Sequence, residues 1–274
     1  MSTSTPAEVD PHLPTIRGNE NVFRWDAGWL LVLAASALLA ILVLVVGNPF
    51  DRIFRFVLDG LRVTVTVTLV TFGLVLVVGI FGALGRLSTA IPLRGIATLY
   101  VEVVRGIPLL VQLYFWYYAF PSIVRDLGTR WNIESMKNFV ANPYVMAIAG
   151  LTLCYGAYMT EVYRAGIQSI PKGQMEAARS LGMTYVQAMR YIILPQAIRV
   201  ILPPVGNEFI TLLKDSSLVS AVAVADLTRR GREFQAITPL PLHIYLMIGL
   251  MYLIMTLLSA RVVAMIEARM SKER

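Results

Sequence analysis

The chain has 274 residues, of which 57% are hydrophobic and only 15% charged, and its formal net charge is +7. Soluble domains average about 25% charged residues, so this composition excludes an ordinary water-soluble globular protein. The positive charges are spread over every loop and form no single basic face with interleaved aromatic residues. That distribution excludes a nucleic-acid-binding protein.

Six stretches are long and apolar enough to cross a bilayer as helices, which takes about 20 apolar residues for about 30 Å of hydrocarbon. They are residues 27–50, 63–85, 106–124, 138–160, 200–225 and 234–260. Residues 200–225 are interrupted only by Glu208, Lys214 and Asp215. The runs at residues 30–33 and 74–78 are apolar on every side, whereas strands of a transmembrane barrel alternate in polarity. We therefore predict an all-α polytopic membrane protein with about six transmembrane helices.

The first span is expected to stay on the mature protein. Its apolar stretch, within residues 27–50, is too long for a cleaved signal peptide, and it follows a polar tail at residues 1–26 that is rich in Pro, Ser and Thr. With six spans the two termini share a side. Placing both in the cytoplasm puts 13 Lys and Arg inside against 10 outside, the sign that the positive-inside rule requires.

Three glycines recur at every third residue near the end of the second span, at Gly79, Gly82 and Gly85. Small residues let helices approach closely, so this face is predicted to pack against another helix.

Two pairs of opposite charges lie three residues apart near span ends, Glu102 with Arg105 and Glu161 with Arg164. Charges near a bilayer usually pair and face protein. Each pair is therefore expected to be a structural ion pair, with gating or substrate contact as the alternative.

The loop at residues 170–195 is predicted to form two short helices at an angle. Pro171 is typical of a helix start, and Gly182 is suited to the left-handed residue that ends a helix. Thr184 and Gln187 have the spacing of a capping box, which begins a second helix. Pro195 is expected to mark the turn into the next span. Two interfacial helices lying on the membrane are the alternative interpretation.

The fifth span carries a polar stripe that indicates a solute path. Pro203 and Pro204 are predicted to interrupt this helix, and broken spans often mark transport sites. The stripe has two rows at helical spacing, which are Asn207, Thr211 and Lys214, and Glu208, Thr211 and Asp215. Glu208 and Lys214 would offer both signs of charge to a zwitterionic amino acid. The alternative is a polar cluster that holds two subunits together.

Several chemistries have no residues to support them. With two His and one Cys the chain has no metal-binding constellation, and no GxxxxGK[ST] phosphate loop occurs. No Ser/His/Asp set is arranged for catalysis either. An enzyme or a self-contained ATPase is therefore not expected, and we predict no cofactor.

The loop also resembles a known family. The motif matches the signature of permease subunits of bacterial ABC importers at Glu176-Ala177-Ala178, Gly182, Ile192 and Leu194-Pro195. Four further stretches resemble the polar amino acid branch of that family, which carries histidine, arginine, glutamine, glutamate or opines. They are residues 105–112 (RGIPLLVQ), 169–174 (SIPKGQ), 194–197 (LPQA) and 213–218 (LKDSSL). The branch often has Thr where this chain has Ile107.

The resemblance implies a five-span type I permease core over residues 57–266, preceded by one extra span, in the bacterial cytoplasmic membrane. It implies that the loop docks onto an ATP-binding subunit through Lys172, Glu176, Ala177, Ala178, Leu181 and Gly182. The substrate path would comprise Asn207, Glu208, Thr211, Lys214, Gln112 and Glu161.

The resemblance further implies two ATP-binding subunits, a second permease subunit (a copy or a paralogue) and an extracytoplasmic amino-acid-binding protein, all around a chain embedded in membrane lipid. ATP would be bound by the partner alone. A competing hypothesis is an ion- or proton-coupled secondary carrier. Such a carrier typically has an internal repeat, and none is found at any useful period.

Overall fold

The computed structural model describes residues 27–271, and all regular structure in that range is helical. The polar tail predicted at residues 1–26 lies outside the described residues. The α-helices, numbered in chain order, are α1 Ala27–Ala40, α2 Phe50–Leu87, α3 Ile91–Gly106, α4 Leu109–Tyr114, α5 Phe120–Trp131, α6 Glu134–Lys137, α7 Pro143–Gln168, α8 Lys172–Ser180, α9 Tyr185–Ala188, α10 Leu194–Asp215, α11 Leu227–Ile237 and α12 Pro241–Ser271. Three π-helical stretches and one 3-10 stretch join them, at Ile41–Val46, Phe115–Ala119, Met189–Ile193 and Ser216–Val222.

The all-α polytopic class is confirmed. Four helical segments are long and apolar enough to cross a membrane, and a bent pair adds a fifth if it crosses once. The four are Ala27–Val46, Phe50–Leu87, Pro143–Gln168 and Pro241–Met270, and the pair is Ile91–Gly106 with Leu109–Trp131. The predicted span at 200–225 corresponds to α10, which has 22 residues but carries too many polar and charged side chains to count by composition.

Residues 86–105, which lie between the second and third predicted spans, are largely helical. Most of the segment is α3, which meets the next helix at an angle of 105°. The helix ends at Gly106 because Pro108 disfavours a helical conformation at the residue before it. Ile107 accordingly has an extended backbone, with φ −105° and ψ 131°.

Two proline predictions are also corrected. Pro203 and Pro204 lie inside α10 without interrupting it, and Pro195 marks no turn, because helix continues from Tyr185 through to Asp215. A proline lacks the N–H that an α-helix needs. The π-helical stretch Met189–Ile193 ends two residues before Pro195. In the same way, the π-helical stretch Phe115–Ala119 ends two residues before Pro121.

The predicted glycine face packs against two neighbouring helices. A Cβ atom at Gly82 would overlap the Thr160 side chain of α7, and one at Gly79 would overlap Met159. At Gly85 the close neighbour is Ala97 of α3. Contacts between α2 and α7 advance in the same direction along both helices, so the two run parallel.

Two hydrophobic cores lie at different levels of α2. The first surrounds its C-terminal part, where Val75, Leu151 and Leu212 bring together α2, α7 and α10. The second surrounds its N-terminal part, where Ile53 and Ile244 bring together α2, α11 and α12. The packing of α2 against α7 therefore positions α10 and everything that α10 carries.

We expect Gly82→Val to lower the stability of the subunit by about 1–3 kcal/mol, because the added side chain would overpack the α2–α7 contact. Thermal unfolding of the purified protein in detergent measures this. Gly73→Val is the matched control on the same helix, since a Cβ atom there meets nothing within 4 Å. Equal melting temperatures for the two variants would contradict the close approach.

Candidate functional site

A cavity of about 420 Å³ lies where the break between α3 and α4 faces α7 and α10. Three elements supply its walls: the break itself, the middle of α7 and the C-terminal half of α10. The lining residues are Arg105, Gly106, Ile107, Pro108, Leu109, Cys154, Tyr155, Tyr158, Glu208, Thr211 and Asp215.

The break is held by Gln112. Its Nε2 atom donates to the carbonyl oxygens of Val104 and Ile107, each at 2.8 Å, and lies 3.6 Å from Cys154 Sγ. Both carbonyls lie at the end of the broken helix, where that of Val104 also accepts from the N–H of Ile107 at 3.4 Å. Gln112 was predicted on the solute path, but it is buried and lies behind the lining residues. Its geometry is that of a support for the cavity wall.

Arg105 provides the positive charge of the cavity. Its guanidinium lies over the ring of Tyr158, 5.0 Å from the centroid. The predicted ion pair between Arg105 and Glu102 does not form, because Glu102 reaches toward Arg86 at 3.8 Å instead. Within residues 27–271 Arg105 forms no ion pair within 4 Å of a carboxylate, and it lies in the cavity wall, near enough to Glu208 to interact with it electrostatically.

Two carboxylates provide the negative charge. Asp215 is held in place by Tyr155, whose hydroxyl donates to Oδ2 at 2.7 Å. Glu208 is half-buried and has neither an ion pair nor a hydrogen bond from its side chain to any residue in the described range. The cavity thus combines one guanidinium with two carboxylates, of which one is fixed and one is free.

The polar stripe on α10 divides between two surroundings. Glu208, Thr211 and Asp215 line the cavity, as one of the two predicted rows requires. Asn207 and Lys214 belong to the other row, and both are exposed and absent from the cavity wall. Lys214, predicted to complement Glu208, therefore lies outside this cavity, in whose wall Arg105 is the positive charge.

A second cavity of about 340 Å³ adjoins the first and shares Arg105, Gly106 and Tyr158 with it. Glu161 lies in its wall, next to the first cavity and outside it. The predicted pair of Glu161 with Arg164 is confirmed at 2.7 Å, and Arg86 of α2 approaches the same carboxylate at 3.4 Å.

The loop after α7 has the predicted two-helix form. Gly182 has φ +85°, its N–H donates to the carbonyl of Arg179, and the N–H of Met183 donates to that of Ala178. These two bonds make a Schellman motif, which ends α8. The predicted capping box is confirmed at Thr184 and Gln187, in both directions.

Most of the predicted coupling residues point away from the rest of the subunit. Lys172, Glu176 and Ala177 are exposed, and Leu181 is 81% exposed. Ala178 differs, since it is 4% exposed and packs within the subunit. Gln196 of α10 ties the helix pair to the core through a 3.3 Å hydrogen bond to Gln174.

Sequence reasoning missed three lining residues on α7, namely Cys154, Tyr155 and Tyr158. They lie in a stretch that was interpreted as a uniformly apolar span. The two tyrosine hydroxyls, three residues apart in that span, were the available signal, because a polar group at membrane depth needs a partner. The Tyr155 hydroxyl donates to Asp215, 60 residues away in sequence, and the Tyr158 ring lies under Arg105, 53 residues away, and no local pattern reveals either contact.

Comparison with known proteins shows which family shares this sequence pattern. Residues 75–272 match the family described as the binding-protein-dependent transport system inner membrane component. The chain belongs to this family. Its match covers the C-terminal part of α2, the broken helix, the cavity, the exposed helix pair and α12.

Several relatives are permeases of ABC transporters. The L-cystine transport system permease protein TcyB of Bacillus subtilis is 37% identical, over 78% of this chain and 86% of its own length. The probable glutamine ABC transporter permease protein GlnM of the same organism is also 37% identical, over 81% and 96%. A crystal structure of an amino acid ABC transporter with histidines aligns with a TM-score of 0.71 and 36% identity, covering 80% of this chain and 96% of that one.

We expect Gln112→Met to destabilise the subunit by about 1 kcal/mol, because the carbonyls of Val104 and Ile107 would lose a side-chain donor in a partly buried site. The melting temperature of the purified protein measures this, together with solute uptake. Gln235→Met, at a side chain outside the cavity that accepts from Tyr245, is the control. A melting temperature no lower than the control's would contradict the supporting role of Gln112.

Proposed function

We propose that this protein is the translocation subunit of an ATP-driven importer for polar amino acids, working in the bacterial cytoplasmic membrane. One observation carries the proposal. Helix α7 supplies Tyr155 and Tyr158 to a charged cavity of amino-acid size, and three residues after its end the chain enters the exposed helix α8. A motion imposed on α8 therefore reaches the cavity through one continuous helix.

The exposed helix pair fits a docking site for an ATP-binding subunit. Leu181 and Val186 are 81% and 71% exposed, and Tyr185 between them is 56% exposed. Apolar side chains that protrude on a charged helix pair need a protein partner to cover them. Two ATP-binding subunits would each receive one such loop, and ATP would be bound and hydrolysed there.

A second permease subunit, a copy or a paralogue, would cover the outer face of α10. Asn207 and Lys214 are exposed on a helix that packs among transmembrane helices. Polar residues at such positions usually face protein or a water-filled path. The exposed positions of Asn207 and Lys214 therefore favour the alternative prediction, a polar contact between two subunits, over a place in the cavity wall.

The direction of transport sets the remaining partners. With α8 in the cytoplasm, an extracytoplasmic amino-acid-binding protein would deliver solute from the opposite face. Both termini would lie in the cytoplasm, in line with the excess of Lys and Arg assigned to that side. The relatives support amino acids as the solute, since two of them are named for L-cystine and glutamine.

An ion-coupled carrier is the weaker alternative. The similar proteins are named as an ABC transporter permease and an amino acid ABC transporter, and none is named as an ion-coupled carrier. In an importer complex the ATP-binding subunit would cover the exposed side chains of Leu181, Tyr185 and Val186. A self-sufficient carrier has no such partner.

We expect Gly182→Val to abolish uptake while the subunit stays inserted. A β-branched residue with φ +85° costs at least about 1–2 kcal/mol, which would disrupt the Schellman motif and the angle between the docking helices. Uptake by proteoliposomes containing the whole complex measures this. Gly182→Asn is the matched control, because Asn tolerates the left-handed conformation.

Glu176→Lys tests the same surface by charge. Its side chain is exposed in the subunit, so the substitution should leave folding unchanged and weaken co-purification of the ATP-binding subunit along with uptake. Normal uptake by both Gly182→Val and Glu176→Lys at normal expression would rule out coupling through this loop.

Deletion of residues 1–46 should leave the transport rate per assembled complex unchanged. Helix α1 packs chiefly against α12, with Gly28 against Arg261, and contributes no residue to either cavity at Arg105. Yield and insertion of the shortened chain are expected to fall. Loss of substrate binding in a complex that still assembles would contradict this assignment of α1.

A further inference from the structure

We propose that a groove between α2, α10 and α12 binds one acyl chain of an anionic phospholipid. The lipid would come from the leaflet that borders the exposed helix pair. This site is separate from the charged cavity, because the groove and the cavity share no lining residue. The inference goes beyond the proposed function, since it concerns the membrane around the subunit and holds for any solute.

The groove has the length of one leaflet. It consists of two cavities, of about 420 Å³ and about 210 Å³, that join along the helices. They share one lining residue from each helix, namely Leu69 of α2, Phe209 of α10 and Ser259 of α12. On α12 the lining extends from Met255 to Ile266, which is about 16 Å at a rise of 1.5 Å per residue. Half of a hydrocarbon layer about 30 Å thick has nearly that depth.

Helices α10 and α12 form the inner wall of the groove and run in opposite directions. They approach most closely at Gly206, where an added Cβ atom would overlap Val263. Further along α10, Leu213 lines the smaller cavity together with Met255, which comes earlier in α12. The start of α10 and the end of α12 therefore lie at the same end of the groove. That end also borders the exposed helix pair, because helix continues from α9 into α10.

The walls of the groove suit a hydrocarbon chain and no polar ligand. Two lining residues carry hydroxyl groups, and each hydroxyl donates within its own helix. Ser259 donates to the carbonyl of Met255, and Thr68 donates to that of Thr64, both at 2.8 Å. The other lining residues are apolar or glycine. A bound acyl chain would thus leave no polar group of the wall without a partner.

The groove is open along one side. Leu69 of α2 and Val262 of α12 lie at its two edges and are 56% and 50% exposed. Among the described residues, those of α1 line neither cavity. Asn207 and Lys214 lie on a different side of α10, so a second permease subunit that covers them would leave the groove facing lipid.

Two arginines at one end of the groove favour an anionic headgroup. Arg199 lies three residues before Leu202 on α10, and Arg269 lies three residues after Ile266 on α12. Both are exposed, and the nearby carboxylate of Glu267 leaves positive charge in excess. Guanidinium groups bind phosphate well, and basic residues at the membrane boundary attract anionic lipids. The acyl chain and the phosphate of one lipid would therefore meet matching surfaces.

The test compares two lipids that differ only in their headgroup. Phosphatidylglycerol and phosphatidylcholine with the same diazirine-bearing acyl chain are added to the purified full-length protein, together with the subunits that co-purify with it. Labelled peptides are mapped by mass spectrometry after irradiation. We expect label on residues 202–209 and 259–266. Phosphatidylglycerol should label them at least about fivefold more strongly, since one basic residue near an anionic headgroup contributes about that factor.

Variants separate the acyl chain from the headgroup. Val262→Trp, which would fill the groove from its edge, should lower groove labelling at least about fivefold. Leu253→Trp is the control, at a residue of α12 that is 47% exposed and lines neither cavity. The double variant Arg199→Gln/Arg269→Gln should reduce labelling by phosphatidylglycerol to the level of phosphatidylcholine. Arg94→Gln, at an exposed arginine of α3, should leave it unchanged. Melting temperatures confirm that each variant is folded.

Three results would overturn the inference. Equal labelling of the groove by the two lipids would remove the anionic headgroup. Undiminished labelling of Val262→Trp would show that the lipid lies on the surface and not in the groove. Groove peptides that stay unlabelled would show that protein covers them, such as a second copy of this chain. Solute uptake enters none of these measurements, so the proposed function is tested independently.

Discussion

A helix that breaks within a membrane must find donors for the carbonyl groups it frees, because lipid supplies none. In this protein the side chain of Gln112 is such a donor, because its Nε2 atom donates to the carbonyls of Val104 and Ile107 at the end of α3. The break in turn directs Arg105 over Tyr158 and leaves room in front of α10. The cavity, its positive charge and its contact with α7 all depend on this local repair of the backbone.

Helix α7 connects the parts of the molecule that have distinct tasks. Its glycine-lined contact with α2 fixes it in the first core, and its middle turns face the cavity. Near its end Glu161, which is paired with Arg164 on the same helix, also lies 3.4 Å from Arg86 of α2. The packed contact and the ion pairs hold α2 and α7 against each other, and a turn of three residues joins α7 to the exposed helix pair.

Local signals in the sequence were reliable wherever a short stretch determines the geometry by itself. The left-handed Gly182, the capping box at Thr184 and the glycine face of α2 were all predicted, because each depends on backbone sterics or on side chains three to four residues apart. The class of fold was equally accessible from the distribution of charge. Proline was the exception. Pro195, Pro203 and Pro204 were expected to turn or interrupt the chain, but a π-helical stretch precedes the first and α10 continues through the other two.

The composition of the site was only partly predictable. Helical spacing identified Glu208, Thr211 and Asp215 as one row, and the structure brings them to one cavity. The same spacing allowed Asn207 and Lys214 equally well, and choosing between the rows requires knowing which neighbours α10 packs against. The partners of Arg105 and Asp215 come from α7, and such contacts follow from the tertiary arrangement alone.

The length of α2 constrains how the subunit sits in the bilayer. Its 38 residues extend about 57 Å, nearly twice the thickness of the hydrocarbon layer. Tilt alone would have to reach about 58° to absorb the mismatch, beyond the roughly 0–40° that membrane helices adopt. The excess length must therefore project into the headgroup region and water, and the charged first turns, from Asp51 to Arg62, are suited to that exposure. The hydrocarbon boundary on that side of the membrane accordingly lies close to Arg62.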